Sequence, residues 1–121
     1  MSAELRDRTK RFAIEIIAEV GEFPNSPRYW VLGKQMLRSG TAVGALYREA
    51  ERAESRDDFV HKLGIASKEA AEACYWLELL TESGLAKSGR SARLLTESRE
   101  LMAILIASGR TARGDRPRTK S

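Results

Sequence analysis

Apolar and polar positions recur along this chain with the period of helices rather than strands. In LRDRTKRFAIEIIAEVGEF, Leu5, Phe12, Ala13, Ile16, Ile17 and Val20 stand mostly three or four residues apart, with Glu15 and Glu19 on another face. This spacing predicts an amphipathic helix of about four turns. Gly21 and FPNSP end it, and Ser26 followed by Pro27 predicts the next start. There the serine oxygen can accept a free amide hydrogen, and proline lacks the hydrogen that would have no partner.

The second helix is predicted from Pro27 to Glu54, with Leu32, Met36, Val43, Tyr47 and Ala50 along one side. At its end, Ser55 is placed to cap the third helix, with Asp58 at the acidic position of a capping box. The third helix carries the most regular seam: Phe59, Leu63, Ala66, Ala70, Ala73, Leu77 and Leu80. Gly84 is placed to close it in the left-handed conformation. The fourth, RSARLLTESRELMAILIASG, presents Leu94, Leu95, Leu101, Met102, Leu105 and Ile106 and is predicted to stop at Gly109. Short connections between long helices predict an all-α fold, an antiparallel up-and-down four-helix bundle.

Trp30, the adjacent Tyr75 and Trp76, and the run MAILIA add apolar positions beyond one stripe per helix. A helix apolar on more than one side is often buried on more than one side, so self-association is expected. Gly40 and Gly44 sit four apart on one face of the second helix. Each costs roughly 1 kcal/mol against alanine in a helix interior, which close approach of a neighbouring helix could offset. Simple tolerance of the glycines is the alternative. A phosphate loop does not fit, because GTAVG follows no strand and lacks the Lys-Ser/Thr pair.

With 121 residues, the chain suits one domain. It has no long apolar run to span a membrane, and its opening MSAELRDRTKRF lacks the apolar stretch of a secretory signal, so a cytoplasmic location is expected. One cysteine, Cys74, and one histidine, His61, supply no zinc set and no nucleophile with its base. Cys74 reads as a buried structural thiol and His61 as a surface residue. No E-x-x-H motif of a di-iron bundle occurs. The expected protein is therefore not an enzyme and needs no cofactor.

The net charge is +4, and through Gly109 the chain carries 16 basic and 16 acidic residues. The excess lies in residues 110–121, expected to form a basic, disordered tail beyond a bundle domain of residues 1–109. Arg6, Arg8, Lys10 and Arg11 cluster at the start of the first helix, and Arg48, Arg52 and Arg56 recur four residues apart. The second row would form a basic ridge, or a salt-bridged solvated face with Glu51, Glu54, Asp57 and Asp58. These seven residues are the candidate contacts to an RNA or DNA backbone, acting by charge neutralisation. Trp30, Gly40, Gly44, Tyr75 and Trp76 are the candidate close-packing or interface residues, and a protein partner at the aromatic surface is the competing reading.

The text QMLRSGTAVGALYREAERA from Gln35 to Ala53, SRDDFVHKLGIASKEAAEACYWLELL from Ser55 to Leu80, and the Phe23-Pro24 pair resemble the bacterial four-helix bundle proteins related to those encoded in intervening sequences of 23S ribosomal RNA. The resemblance spans roughly residues 8 to 108. It implies an up-down bundle, assembly as a pentameric ring, and kinship with accessory proteins of diversity-generating retroelements, which work with a reverse transcriptase and nucleic acid through a basic surface. Where that family commonly has an asparagine this chain has Leu46, and where it has a polar pair this chain has Glu72-Ala73. Polar interactions made by those groups in the family are therefore not implied here.

Overall fold

The computed structural model describes residues 2–114, which form four helices: α1 (Ser2–Gly21), α2 (Pro27–Glu51), α3 (Arg56–Glu82) and α4 (Arg90–Arg113). No strand occurs among the described residues. Each helix packs on its neighbours in the chain and α1 closes on α4, while the diagonal pairs stay apart. The result is an antiparallel up-and-down four-helix bundle. The start of α1, the α2–α3 turn and the end of α4 share one end of it. The other end holds the α1–α2 and α3–α4 connections.

The core runs the length of the bundle through Phe12, Ile16, Met36, Val43, Leu63, Leu77, Leu101 and Leu105. On α3 the buried seam is rich in alanine, with Ala66, Ala70 and Ala73 fully covered, and small side chains there let neighbouring helices approach.

On α1 the buried row differs from the expected one. Leu5, Thr9, Phe12, Ile16 and Glu19 face inward in steps of four and three, so Ile17 is 52% exposed while Glu19 is only 3% exposed. Adjacent residues point about 100° apart on a helix, and the row through Phe12 and Ile16 turns Ile17 outward.

The helix ends show how far local signals reach. Ser55 is extended, and its Oγ accepts a hydrogen bond from the Asp58 backbone N–H at 3.0 Å. The returning Asp58 carboxylate accepts from the N–H of Glu54 at 3.3 Å, one residue before the cap. Gly84 takes φ +79° after α3. At Ser26 the expected cap is absent: the backbone is extended, but the buried hydroxyl makes no hydrogen bond. Pro27 removes one donor, and the helix's first backbone bond runs from Trp30 N–H to the Ser26 carbonyl.

Two predicted boundaries move. α2 ends at Glu51 rather than Glu54, where Arg52 N–H bonds back to the Glu49 carbonyl. α4 passes through Gly109, which is buried at the α3 contact, and ends at Gly114 with φ +87°. Residues 110–113 are consequently helical, and the rest of the expected tail lies outside the described residues apart from Gly114.

Candidate nucleic-acid interface

Helix α1 supplies four of the candidate cations, and the fold divides them into two pairs. Arg6 forks onto Glu51 of α2, with Nε at 2.8 Å and Nη2 at 3.0 Å from the two carboxylate oxygens. The bond raises the Arg6 pKa and lowers that of Glu51, as expected when each charge is stabilised by the other. Arg8 forks onto Glu97 of α4 at 2.7 Å through both nitrogens and adds Glu100 at 2.6 Å. These hydrogen bonds raise its pKa despite partial desolvation. Bidentate pairing occupies the Nε and Nη2 donors of each guanidinium, a part of its five N–H groups. Arg6 and Arg8, which the sequence offered as nucleic-acid contacts, here tie α1 to its neighbours.

Lys10 and Arg11 are different. Both are exposed and neither forms an ion pair among the described residues. Arg48, Arg52 and Arg56 are exposed as well, but they do not form one ridge on one helix. Arg48 lies in the last turn of α2, Arg52 caps it, and Arg56 opens α3. The three line the α2–α3 turn at the end of the bundle where α1 begins. Arg56 belongs to α3 whether α2 ends at Glu51 or at the expected Glu54, so the row is shared between two helices.

The glycines lie against α1. A methyl group built on Gly40 would stand 2.9 Å from Ile16 Cγ1, and one on Gly44 would stand 3.2 Å from Thr9 Oγ1 and 3.4 Å from the Thr9 carbonyl carbon. Gly33 makes a third such approach, 3.0 Å from Val20 Cγ1. Its seven-residue spacing from Gly40 is visible in the sequence and extends the same face. With Arg6–Glu51 at one end, these contacts hold α1 and α2 as a tight pair.

The aromatic residues lie on two helices, Trp30 on α2 and the Tyr75–Trp76 pair on α3. Trp30 is 57% exposed at the α1–α2 side, where its Nε1–H donates to Asn25 Oδ1 at 2.7 Å. Tyr75 and Trp76 sit on α3, with ring centroids 5.1 Å apart. Trp76 packs partly against the core, and its shielded indole N–H has no acceptor in hydrogen-bonding geometry. The nearby Glu72 carboxylate is engaged by Arg38 and held below its ordinary pKa chiefly by that bond. Leu46 is partly buried against the core and Ala73 is buried within it.

Other chemistry is accounted for locally. Cys74 Sγ lies 2.9 Å from Ser98 Oγ, and burial pushes its thiol pKa up, away from thiolate reactivity. His61 is exposed. Among the described residues no three His, Cys, Asp or Glu side chains gather to hold a metal ion, and no helix is long and apolar enough to cross a membrane.

Similarity to known proteins fits this architecture. The family described as 23S rRNA-intervening sequence protein matches residues 2–107. A crystal structure of a protein with unknown function from the S23 ribosomal protein family of Bacteroides thetaiotaomicron VPI-5482 is similar with a TM-score of 0.79 and 40% identity, over 86% of this chain and 96% of that one. No curated protein matches. With the family match covering nearly the whole bundle, the chain belongs to the 23S rRNA-intervening sequence protein family.

Proposed function

We propose that the protein is a non-catalytic, oligomeric scaffold that binds the phosphate backbone of RNA or DNA through the end of the bundle formed by α1 and the α2–α3 turn. The observation that carries this reading is the sorting of the cations. Arg6 and Arg8 are engaged by carboxylates, while Lys10, Arg11, Arg48, Arg52 and Arg56 are exposed and form no ion pair among the described residues. Glu49, Glu54 and Asp57 share that end, so each copy binds weakly and assembly multiplies the effect. The family's connection to a ribosomal RNA intervening sequence points the same way.

Self-association is supported by the exposed side chains Ile14, Val31, Tyr75 and Ile106, one on each helix. The resemblance to ring-forming proteins makes a cyclic homo-oligomer, with five subunits, the specific proposal. Light scattering with cross-linking tests it, and a 13.5 kDa species at micromolar concentration would remove it. The binding test is titration of labelled RNA and DNA across salt concentrations. Counterion release predicts steep weakening with salt, and no binding at low salt would end the nucleic-acid reading.

A further inference from the structure

Helix α2 has a stripe of exposed and half-buried residues that contains no carboxylate. Trp30, Lys34, Leu37, Thr41 and Arg48 follow one another in steps of four, three, four and seven, which keeps them on one side of a helix. The acidic residues of α2, Glu49 and Glu51, lie off this stripe, and Glu51 is spent on Arg6. From Trp30 to Arg48 the stripe is about 27 Å long at 1.5 Å per residue. Its far end runs into the exposed cations already described.

Its near end is built differently. The Trp30 indole is 57% exposed yet fixed in orientation by its bond to Asn25, 2.7 Å long. It borders a hollow of about 500 Å3 that Phe23, Tyr29, Lys34 and Leu37 also line. Phe23 and Tyr29 pack ring to ring at 5.1 Å beneath it, and Lys87 Nζ stands 5.9 Å from the Tyr29 ring centre. Neither Lys34 nor Lys87 has an ion-pair partner among the described residues. The nearest acid on the connection, Glu22, faces Arg90. An oriented, exposed aromatic face next to unneutralised cations is the combination that single-stranded nucleic acid uses, with bases stacking and phosphates following the charge.

We propose that Trp30 is a stacking platform for an unpaired nucleobase of a single strand whose phosphates run past Lys34 along α2 towards Arg48. This site rests on the proposed nucleic-acid function and narrows it to single strands. Flexible strands present a free base face to the indole, while a duplex keeps its bases stacked on each other. An apolar partner protein would leave Lys34 and Lys87 without counter-charge.

The test uses the full chain with a short labelled oligouridine, an abasic oligomer of the same length, and the variants Trp30→Ala and Trp30→Phe. Trp30→Ala is expected to weaken oligouridine binding about 5- to 100-fold, with most of the loss recovered in Trp30→Phe. The abasic oligomer is expected to bind the wild type and Trp30→Ala alike. Equal oligouridine affinity for wild type and Trp30→Ala would overturn the site while leaving backbone binding intact. Dissociation of an oligomer by Trp30→Ala with affinity per subunit unchanged would assign Trp30 to a subunit interface and overturn it too. If the wild type binds neither oligomer at low salt, the function on which the site rests fails with it.

Discussion

Glu19 of α1, only 3% exposed, has its carboxylate 3.5 Å from the Arg90 guanidinium of α4. Burial raises the Glu19 pKa, and Arg90 offsets only part of that effect. Removing Arg90 leaves the Glu19 carboxylate buried with no water to replace its partner, whereas Arg90 is partly exposed and also faces Glu22. Replacing Arg90 by methionine is therefore expected to destabilise the fold by about 1–3 kcal/mol. Glu19→Gln is expected to stabilise it at neutral pH, and to suppress most of the Arg90→Met loss in the double variant. Urea unfolding of the four proteins checks the cycle.

The same residue fixes a pH dependence. Its folded pKa lies above its unfolded value near 4.5, so the native state holds the proton more tightly. Stability contributed by Glu19 is greatest below the unfolded value and is lost as pH rises through the folded one. The stability difference between Glu19→Gln and wild type should grow as pH rises through that window. A difference that shrinks with rising pH would show that Arg90 overcompensates burial.

The glycines differ in what surrounds them, and alanine separates them. Gly40→Ala pushes a methyl into the β-branched, fully buried Ile16, and a loss of about 1–3 kcal/mol is expected. Gly64 is exposed on α3 with nothing within 4 Å of an added methyl. Gly64→Ala should instead gain about 0.5–1 kcal/mol from helix propensity. Thermal melts of the two variants should shift in opposite directions.

Clamping and contacting arginines should separate in the same way. Arg8→Ala is expected to lower stability by about 0.5–1 kcal/mol, since its pairs are partly exposed, and to leave RNA affinity nearly unchanged. Arg48→Ala and Arg52→Ala should leave unfolding unchanged and weaken RNA binding. Denaturation and binding measured on the same preparations make the distinction.

Much of the bundle was legible because helix periodicity and turn chemistry are local. The α3 alanine seam, the Ser55 cap and the Gly84 closure each follow from residues within a turn or two. Partners across helices are not local. Nothing in LRDRTKRF says that Arg8 will meet Glu97 and Glu100, so the cations that look available on one helix include two that the fold uses. Glu19 misled for a related reason: a lone carboxylate on an amphipathic helix reads as solvent-facing unless the Arg90 opposite is known. Gly109 read as a stop because glycine often ends helices, but here it is buried at α3 and α4 continues. Gly33 was missed although its spacing from Gly40 repeats the helical face, and Lys34 beside Trp30 gained meaning only once their shared hollow was formed.

The proposed function has exposed cations on α1, α2 and the α2–α3 turn neutralise nucleic-acid phosphates. The most direct measurement is the salt dependence of RNA affinity for the wild type and for a variant with Arg48, Arg52 and Arg56 replaced by alanine. The wild type should bind at low salt, with log K falling linearly against log salt at roughly 0.7 per phosphate neutralised on a single strand. Removing three cations should flatten that slope by roughly 2 with the fold unchanged. A wild type that does not bind at low salt, or a variant with an identical slope, would show that these cations do not meet phosphates.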